Sequence, residues 1–409
     1  MHPVVLDEPY DFVPPYTGTI WPKFLQKLLP RSLRKDFGIQ QTNCVGLEKI
    51  AASIAAGHSI VLAPNHCRPS DPMVVSEVCR QAGVLSYTMA SWHVFKSTWF
   101  KRFILRRVGG FSVYREGTDR QSLNAAVDIL VEGKRPLVIF PEGVITRTND
   151  RVYAMMEGLS FIARSAAKKR MKENADAKVV VHPIAIRYKF QGNVDKSLHG
   201  ALDDIEERLS WRPKRDDASL QDRIYRVGEA LLWLKEIEFF GEPQTGTIAV
   251  RLRNLIDRIL VPMENEWLGG EADADKTVVA RVKALRTAVL PDMIDGDLSE
   301  DEKTRRWNHL ADMYLAQQLG HYPPEYIANN STPERMVETV EKFEEDLTDY
   351  CRVHGPMIAT VQVGDAIEVS PKRVRGGEDP VMASLESDMH SMLGLPQPVA
   401  ATETEPSIG

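Results

Sequence analysis

The stretch SIVLAPNHCRPSDPMVVSEVCRQAG, residues 59–83, indicates how the first half of this chain folds. It begins with the apolar run 59–64, whose length and composition are typical of a buried strand. Residues 71–83 follow with apolar side chains at helical spacing, and Pro72 takes the first helical position, which proline favours. The sequence therefore predicts a strand, a short polar turn and a helix, which together form a repeating unit of layered α/β domains.

The same alternation continues to residue 188. We predict further strands at 84–90, 109–114, 136–143 and 178–188, with helices at 122–133 and 158–174. This order indicates an α/β fold with a mixed, mostly parallel sheet flanked by helices.

Beyond residue 215 the pattern changes to long helical segments. We predict helices near 218–240, 245–267, 273–290, 299–319 and 332–353, and one or two strands within 357–369. We therefore expect an N-terminal arm (1–40), an α/β domain (41–215), a mainly helical acidic domain (216–395) and a disordered tail (396–409).

Charge is distributed unevenly along the chain. Residues 1–190 hold 27 Lys and Arg against 16 Asp and Glu, whereas residues 191–409 hold 24 against 41. A basic half suits anionic lipids or phosphorylated substrates. No nucleic-acid-binding motif is present, so we expect no nucleic-acid partner. The four cysteines form no C-x-x-C pair, which argues against a zinc site or a disulfide framework and favours a reducing cytosol.

The sequence predicts a cytoplasmic protein whose membrane contact is peripheral. The N-terminus lacks the basic start and apolar core of a secretory signal, and no window approaches the roughly 18 apolar residues of a spanning helix. Segments 21–37 and 92–108 mix aromatic and basic residues. Each is either a helix lying on a membrane surface or a helix packed on the domain, and we expect Pro30 to cut the first one short. In the second segment, helical spacing puts four aromatic residues on one side: Trp92, Phe95, Trp99 and Phe103.

Loops at the ends of predicted strands carry the side chains that suggest chemistry. In PNHCRPSD (64–71), His66 lies in the turn and Asp71 starts the next helix. A histidine held by a carboxylate can take a proton from a hydroxyl near neutral pH. Taken alone, the pair is better explained as a helix start beside a histidine that bonds to the backbone.

Two further loops resolve that ambiguity. GGFSVYRE (109–116) places Arg115 directly after a short strand, where a guanidinium can clamp a phosphate. LVIFPEGVITRTND (137–150) ends a strand and puts Glu142, Gly143 and Arg147 into one loop. Taken alone, each feature has a simpler explanation: Arg115 as a surface arginine, Gly143 as a residue that ends a strand, and Glu142 as a solvated acid. Because all of them follow predicted strands, we interpret them as parts of one functional site.

Together these loops resemble the glycerolipid acyltransferase family, which includes lysophosphatidate and glycerol-3-phosphate acyltransferases. The family's H-x-x-x-x-D block is similar to His66 through Asp71, preceded by Asn65, and its second block ends at Arg115. The resemblance covers roughly residues 41–190.

The third and fourth blocks of the family differ in how well they match. F-P-E-G is intact at 140–143, but Val144 and Ile145 come before Thr146-Arg147, where the family has T-R-S following closely. The fourth block, an apolar strand leading to a proline, resembles residues 179–184.

This resemblance implies that an acceptor hydroxyl attacks an acyl thioester directly, with His66 as general base and Asp71 supporting it. It implies no cofactor and no metal, since acyl-coenzyme A or acyl carrier protein is a co-substrate. The leading acceptor is lysophosphatidate; glycerol 3-phosphate, another lipid hydroxyl or amine, and a non-catalytic lipid-binding scaffold remain alternatives. The resemblance assigns substrate binding to Asn65, Arg115, Glu142, Gly143 and Arg147, and places Pro183 near the acyl chain.

Overall fold

The computed structural model describes residues 8–115, 119–174, 177–209, 218–270, 277–295, 297–322, 326–327, 330–348, 350–372 and 379–397. Within these ranges, eight strands form one sheet. They are β1 (Ile39–Val45), β2 (Ser59–Pro64), β3 (Tyr87–Ser91), β4 (Gly110–Val113), β5 (Leu137–Val138), β6 (Val179–Phe190), β7 (Met357–Val363) and β8 (Ile367–Glu368). Their order is β1-β7-β6-β2-β5-β3-β4, and β8 pairs with β6.

The sheet is mixed and mostly parallel, which confirms the predicted fold class. Strands β6, β2, β5, β3 and β4 run parallel to one another, and β1 is parallel to β7. Strands β7 and β8 pair antiparallel with β6, so β1, β7 and β8 run opposite to the other five described strands. All six residues of β2 are buried, as expected for a strand covered on both faces.

Helices cover both faces of the sheet, and further helices follow it. The helices are α1 (Ile20–Phe37), α2 (Leu47–Ala55), α3 (Asp71–Gln81), α4 (Trp92–Phe95), α5 (Trp99–Arg107), α6 (Arg120–Glu132), α7 (Gly158–Glu173), α8 (Val194–Leu209), α9 (Leu220–Phe240), α10 (Ile248–Leu268), α11 (Val278–Asp295), α12 (Glu300–Gly320), α13 (Pro333–Thr348) and α14 (Pro380–Met392). One apolar core joins the sheet to α1, α3, α8, α9 and α13. A second core lies on the other face, under α6, α7 and α14.

The helical region has a core of its own. Buried apolar side chains of α9, α10, α11 and α12 pack together there, including Leu255, Leu285, Val289 and Met313. This confirms the change to helical structure that the sequence predicts beyond residue 215. No helix in the described part of the chain is long and apolar enough to cross a membrane.

The last strands belong to the main sheet. The sequence pattern predicts that 357–369 belong to the helical domain, whereas β7 lies between β1 and β6 and pairs with both. Local pattern predicts a strand but not its partner, because pairing depends on side chains that are distant in sequence. The helical region is therefore an insertion between β6 and β7 rather than an appended unit.

Two local predictions need correction, and one lies outside the described ranges. Helix α1 continues through Pro30 to Phe37, because Leu29 and Leu33 are buried against the core on either side of the proline. Strand β5 is only two residues long, and the backbone of Ile139 adds one more hydrogen bond to β2 before the chain turns. Most of the predicted tail, residues 398–409, is outside the described ranges.

Candidate active site

His66 and Asp71 lie together at the carboxyl end of β2. Nδ1 of His66 is 2.9 Å from Oδ2 of Asp71. Since a carboxylate only accepts, Nδ1 carries the proton and Nε2 is the basic nitrogen. The carboxylate is fully buried, whereas the His66 side chain keeps 14% of its surface exposed. The pair thus presents a basic nitrogen at an accessible position, held by a buried acid.

The Asp71 carboxylate also accepts hydrogen bonds from outside the histidine, two of them short. The backbone N–H of Arg68 donates to Oδ2 at 2.8 Å, and the hydroxyl of Tyr188 donates to Oδ1 at 2.6 Å. Burial raises the pKa of Tyr188 well above its ordinary range, so its hydroxyl remains a donor. Hydrogen bonds to both oxygens fix the orientation of the carboxylate towards His66.

Glu142 ties the second loop to the first. Its Oε1 accepts from the backbone N–H of His66 at 2.8 Å, and its Oε2 accepts from that of Tyr153 at 3.2 Å. The side chain is buried, and this burial raises its pKa to about 7. Glu142 therefore holds the backbone that carries His66, a contact not anticipated by the predicted role in substrate binding.

The rest of the Phe140–Thr146 loop also contacts His66. The Phe140 ring packs against the imidazole with centroids 4.2 Å apart, and the backbone N–H of Thr146 donates to the carbonyl of His66 at 2.9 Å. Gly143 has a φ of +69°, a left-handed conformation that glycine adopts without strain. The loop thereby reverses direction directly beside the histidine.

Two asparagine side chains act as short extensions of the sheet. Asn65 accepts from the N–H of Ile186 and donates to its carbonyl, and Asn149 does the same with Tyr188. Asn65 is buried, and its amide is used in this pairing. The structure thus shows Asn65 fixing the His66 loop to β6, and substrate binding by Asn65 stays a prediction.

Arg115 follows the carboxyl end of β4, and His66 follows that of β2, so both lie at the same end of the sheet. Two strands, β5 and β3, lie between β2 and β4, so the strand axes are about 14 Å apart at the usual strand spacing. The structure thus places Arg115 at the site's edge without bringing it against His66. A substrate that contacts both residues has to extend along this edge.

Arg147 is held by helix α13. Its guanidinium donates to both carboxylate oxygens of Glu345, at 2.8 and 3.0 Å, and lies 3.7 Å from Glu341. The side chain is buried, and the backbone has a φ of +53°, which is uncommon outside glycine. In this arrangement the guanidinium is committed to α13, so phosphate binding by Arg147 remains only a prediction.

Arg68 makes a second link to α13. This buried arginine lies within the His66–Asp71 turn and pairs with Glu341 at 2.7 Å, with Glu338 at 3.9 Å. Helix α13 belongs to the region inserted after β6, so the insertion contacts both loops of the site. Arg68 and Tyr188 are not among the predicted site residues, because neither belongs to a recognisable short sequence pattern.

Pro183 lies on β6 opposite Ala63 of β2. Its ring packs on Gly364, where a Cβ atom would come within 3.0 Å of the ring. The preceding His182 is buried. Its Nε2 lies 2.9 Å from Oγ of Ser53, and its Nδ1 lies 2.9 Å from the carbonyl oxygen of Gly364. This environment is a packed core, and a position near the acyl chain stays a prediction for Pro183.

A comparison with known families concerns the part of the chain that carries these residues. A family model described as Acyltransferase matches residues 41–187 of the 409-residue chain. A search of curated proteins gave no match. The matched range runs from within β1 to within β6 and contains every predicted site residue, from Asn65 to Pro183. Residues 41–187 thus match the acyltransferase family, the family of glycerolipid acyltransferases such as the lysophosphatidate acyltransferases.

Proposed function

We propose that this protein transfers a fatty acyl group from an acyl thioester to the free hydroxyl of lysophosphatidate, with His66 as general base. The observation that carries the proposal is the 2.9 Å contact between His66 and Asp71, which leaves Nε2 as the basic nitrogen of a partly exposed imidazole. Acyl transfer to an alcohol needs such a base, since a neutral hydroxyl attacks a thioester slowly. The family match supports the reaction class.

In the proposed reaction, Nε2 of His66 takes the acceptor's hydroxyl proton as its oxygen attacks the thioester carbonyl. The carbon–sulfur bond then breaks, the ester forms, and the proton passes from His66 to the departing thiolate. Asp71 stabilises the imidazolium between these two steps, as a buried carboxylate beside Nδ1 can do. Acyl-coenzyme A or acyl carrier protein supplies the acyl group, and the cycle consumes no cofactor.

Arg115 is proposed to bind the acceptor phosphate. It follows the carboxyl end of β4, at the same end of the sheet as His66, and it belongs to the basic half of the chain. Glu142 supports the site through the His66 backbone, and Gly143 keeps the loop in its turned conformation. If Arg147 contacts substrate, it must first leave Glu345.

We also propose that α1 and α5 bring the enzyme onto a membrane surface. Trp21 of α1 packs edge-on against Phe103 of α5, and Arg107 lies over both rings. The two helices thus form one surface, on which the exposed apolar side chains are Ile20, Trp21, Phe24, Leu28, Trp99 and Phe100. Neighbouring lysines and arginines suit anionic headgroups. Trp92 and Phe95 are buried and do not belong to this surface.

Thiol release from palmitoyl-coenzyme A and from palmitoyl acyl carrier protein tests the proposal, with lysophosphatidate or glycerol 3-phosphate as acceptor. We expect turnover with lysophosphatidate and a loss of about 10²- to 10⁴-fold in His66→Ala. His199→Ala, which removes an exposed histidine of α8, serves as the matched control. Turnover only with glycerol 3-phosphate would show that it is the acceptor instead of lysophosphatidate. Equal turnover in His66→Ala would show that His66 is not the general base.

A further inference from the structure

The inserted helices enclose a cavity that the acyltransferase residues do not line. Its volume is about 700 Å³, and its walls come from α9, α10, α12 and α13 together with residues 322, 326 and 327. A volume of this size is usual for a small-molecule site. Apolar side chains form much of the lining, among them Leu231, Leu252, Leu315, Leu319 and Phe343.

The cavity is long. Along α9 its lining runs from Ile224 to Glu238, which at 1.5 Å per residue is about 21 Å. This length compares with the roughly 15 Å depth of one layer of acyl chains in a membrane.

Polar and charged side chains also line the cavity. Lys235, Glu238 and Asp312 lie near one another by the carboxyl end of α9, where Leu234 is exposed. The hydroxyl of Tyr322, also in the lining, donates to Asp346. An amphiphile with one long apolar chain matches this combination, because its chain replaces water along the apolar wall and its polar group can contact the charged side chains.

We propose that this cavity is a binding site for the long acyl chain of a lipid, distinct from the His66 site. The two sites share helix α13. Phe343 lies on the cavity wall, whereas Glu341 holds Arg68 of the catalytic turn, and Glu345 contacts both the cavity and Arg147. The chain could belong to a free fatty acid, to an acyl thioester or to a lysophospholipid, and all three share the chemistry that the cavity recognises.

Binding is measured with the full chain carrying His66→Ala, so that the result does not depend on turnover. The probe is the fluorescent fatty acid cis-parinaric acid, displaced in separate arms by palmitate, palmitoyl-coenzyme A and palmitoyl-lysophosphatidate. We expect saturable binding, and each methylene removed from a competing fatty acid should weaken displacement by up to about fourfold. The arm with the tightest displacement identifies the source of the chain.

Leu315→Trp fills the cavity and should weaken probe binding at least tenfold, and the smaller change Leu319→Phe should weaken it in the same direction. Ile237→Trp is the matched control, since Ile237 is exposed on α9 outside the cavity lining. Circular dichroism and thermal unfolding establish that each variant is folded. Unchanged binding in both folded cavity variants, or no saturable binding in the parent, would overturn the proposal.

Discussion

The hydroxyl of Tyr188 donates a 2.6 Å hydrogen bond to the carboxylate of Asp71, 117 residues away in sequence. The same carboxylate accepts from Nδ1 of His66, so the histidine, the acid and the phenol form one chain of hydrogen bonds. Tyr188 lies on β6 and is fully buried, and its ring also lies under Arg68, 5.4 Å from the guanidinium carbon. The orientation of the proposed base thus depends on a strand outside its own turn.

Removing this phenol should slow the reaction without weakening substrate binding. In Tyr188→Phe, Asp71 loses one donor and is freer to turn away from His66, so we expect kcat to fall about tenfold and KM to change less than twofold. Steady-state kinetics with a pH profile provide the measurement. Tyr87→Phe, another buried tyrosine of the sheet, is the control. An unaltered kcat in Tyr188→Phe would show that the phenol has no positioning role.

Glu142 should make stability depend on pH. Burial raises its pKa from 4.5 to about 7, so between these values the folded protein keeps a proton that the unfolded chain has lost. Its contribution to the free energy of unfolding is therefore full at low pH and falls as pH rises towards 7. Between pH 5 and 8 the free energy of unfolding of the wild type should fall by about 2–3 kcal/mol relative to that of Glu142→Gln. Urea unfolding of both proteins measures this, and parallel pH curves would contradict it.

Arg68 should be far more important to stability than an exposed arginine. Arg68→Met leaves the buried acids Glu338 and Glu341 facing each other, and breaking a buried pair in this way costs about 3–5 kcal/mol. The double variant Arg68→Met/Glu341→Met should recover most of that loss. In Arg80→Met, whose partly exposed side chain pairs with Glu77, we expect a loss of at most about 1 kcal/mol. Urea unfolding compares them, and a double variant no more stable than Arg68→Met would contradict the pairing.

Arg115→Ala should act on the acceptor rather than on the chemical step. A charge-assisted contact to phosphate contributes about 1.5–3 kcal/mol, so KM for lysophosphatidate should rise roughly 10- to 100-fold. KM for monoacylglycerol, which lacks the phosphate, should stay the same, and so should both values in Arg253→Ala, an exposed arginine of α10. Equal effects on the two acceptors would assign Arg115 a role unrelated to phosphate.

The surface formed by α1 and α5 should bind anionic vesicles. Trp99 and Phe100 are 78% and 58% exposed, so replacing both by alanine should weaken sedimentation with phosphatidylglycerol vesicles at least tenfold. Replacing Trp233 and Ile237 of α9, which are also exposed, is the control. Added salt should weaken binding further, because it screens the basic side chains. Equal losses in both variants would assign the effect to general hydrophobicity.

The amino-acid sequence by itself determined the features that depend on neighbouring residues. His66 and Asp71 are five positions apart, so the turn into α3 brings them together whatever the rest of the chain does. Buried apolar runs likewise predicted the strands β2 and β6, since a strand covered on both faces needs apolar residues throughout. The loop 140–143 was recognisable because its residues are consecutive.

Tertiary structure alone decided which distant segments complete the site. Tyr188 reaches Asp71 because β6 pairs with β2, and Glu142 reaches the His66 backbone because β5 pairs with β2 on its other side. The insertion of β7 and the pairing of Arg147 with α13 likewise depend on strand order and helix packing. Such contacts join segments with no common period or motif, so their physical cause is packing of the whole chain.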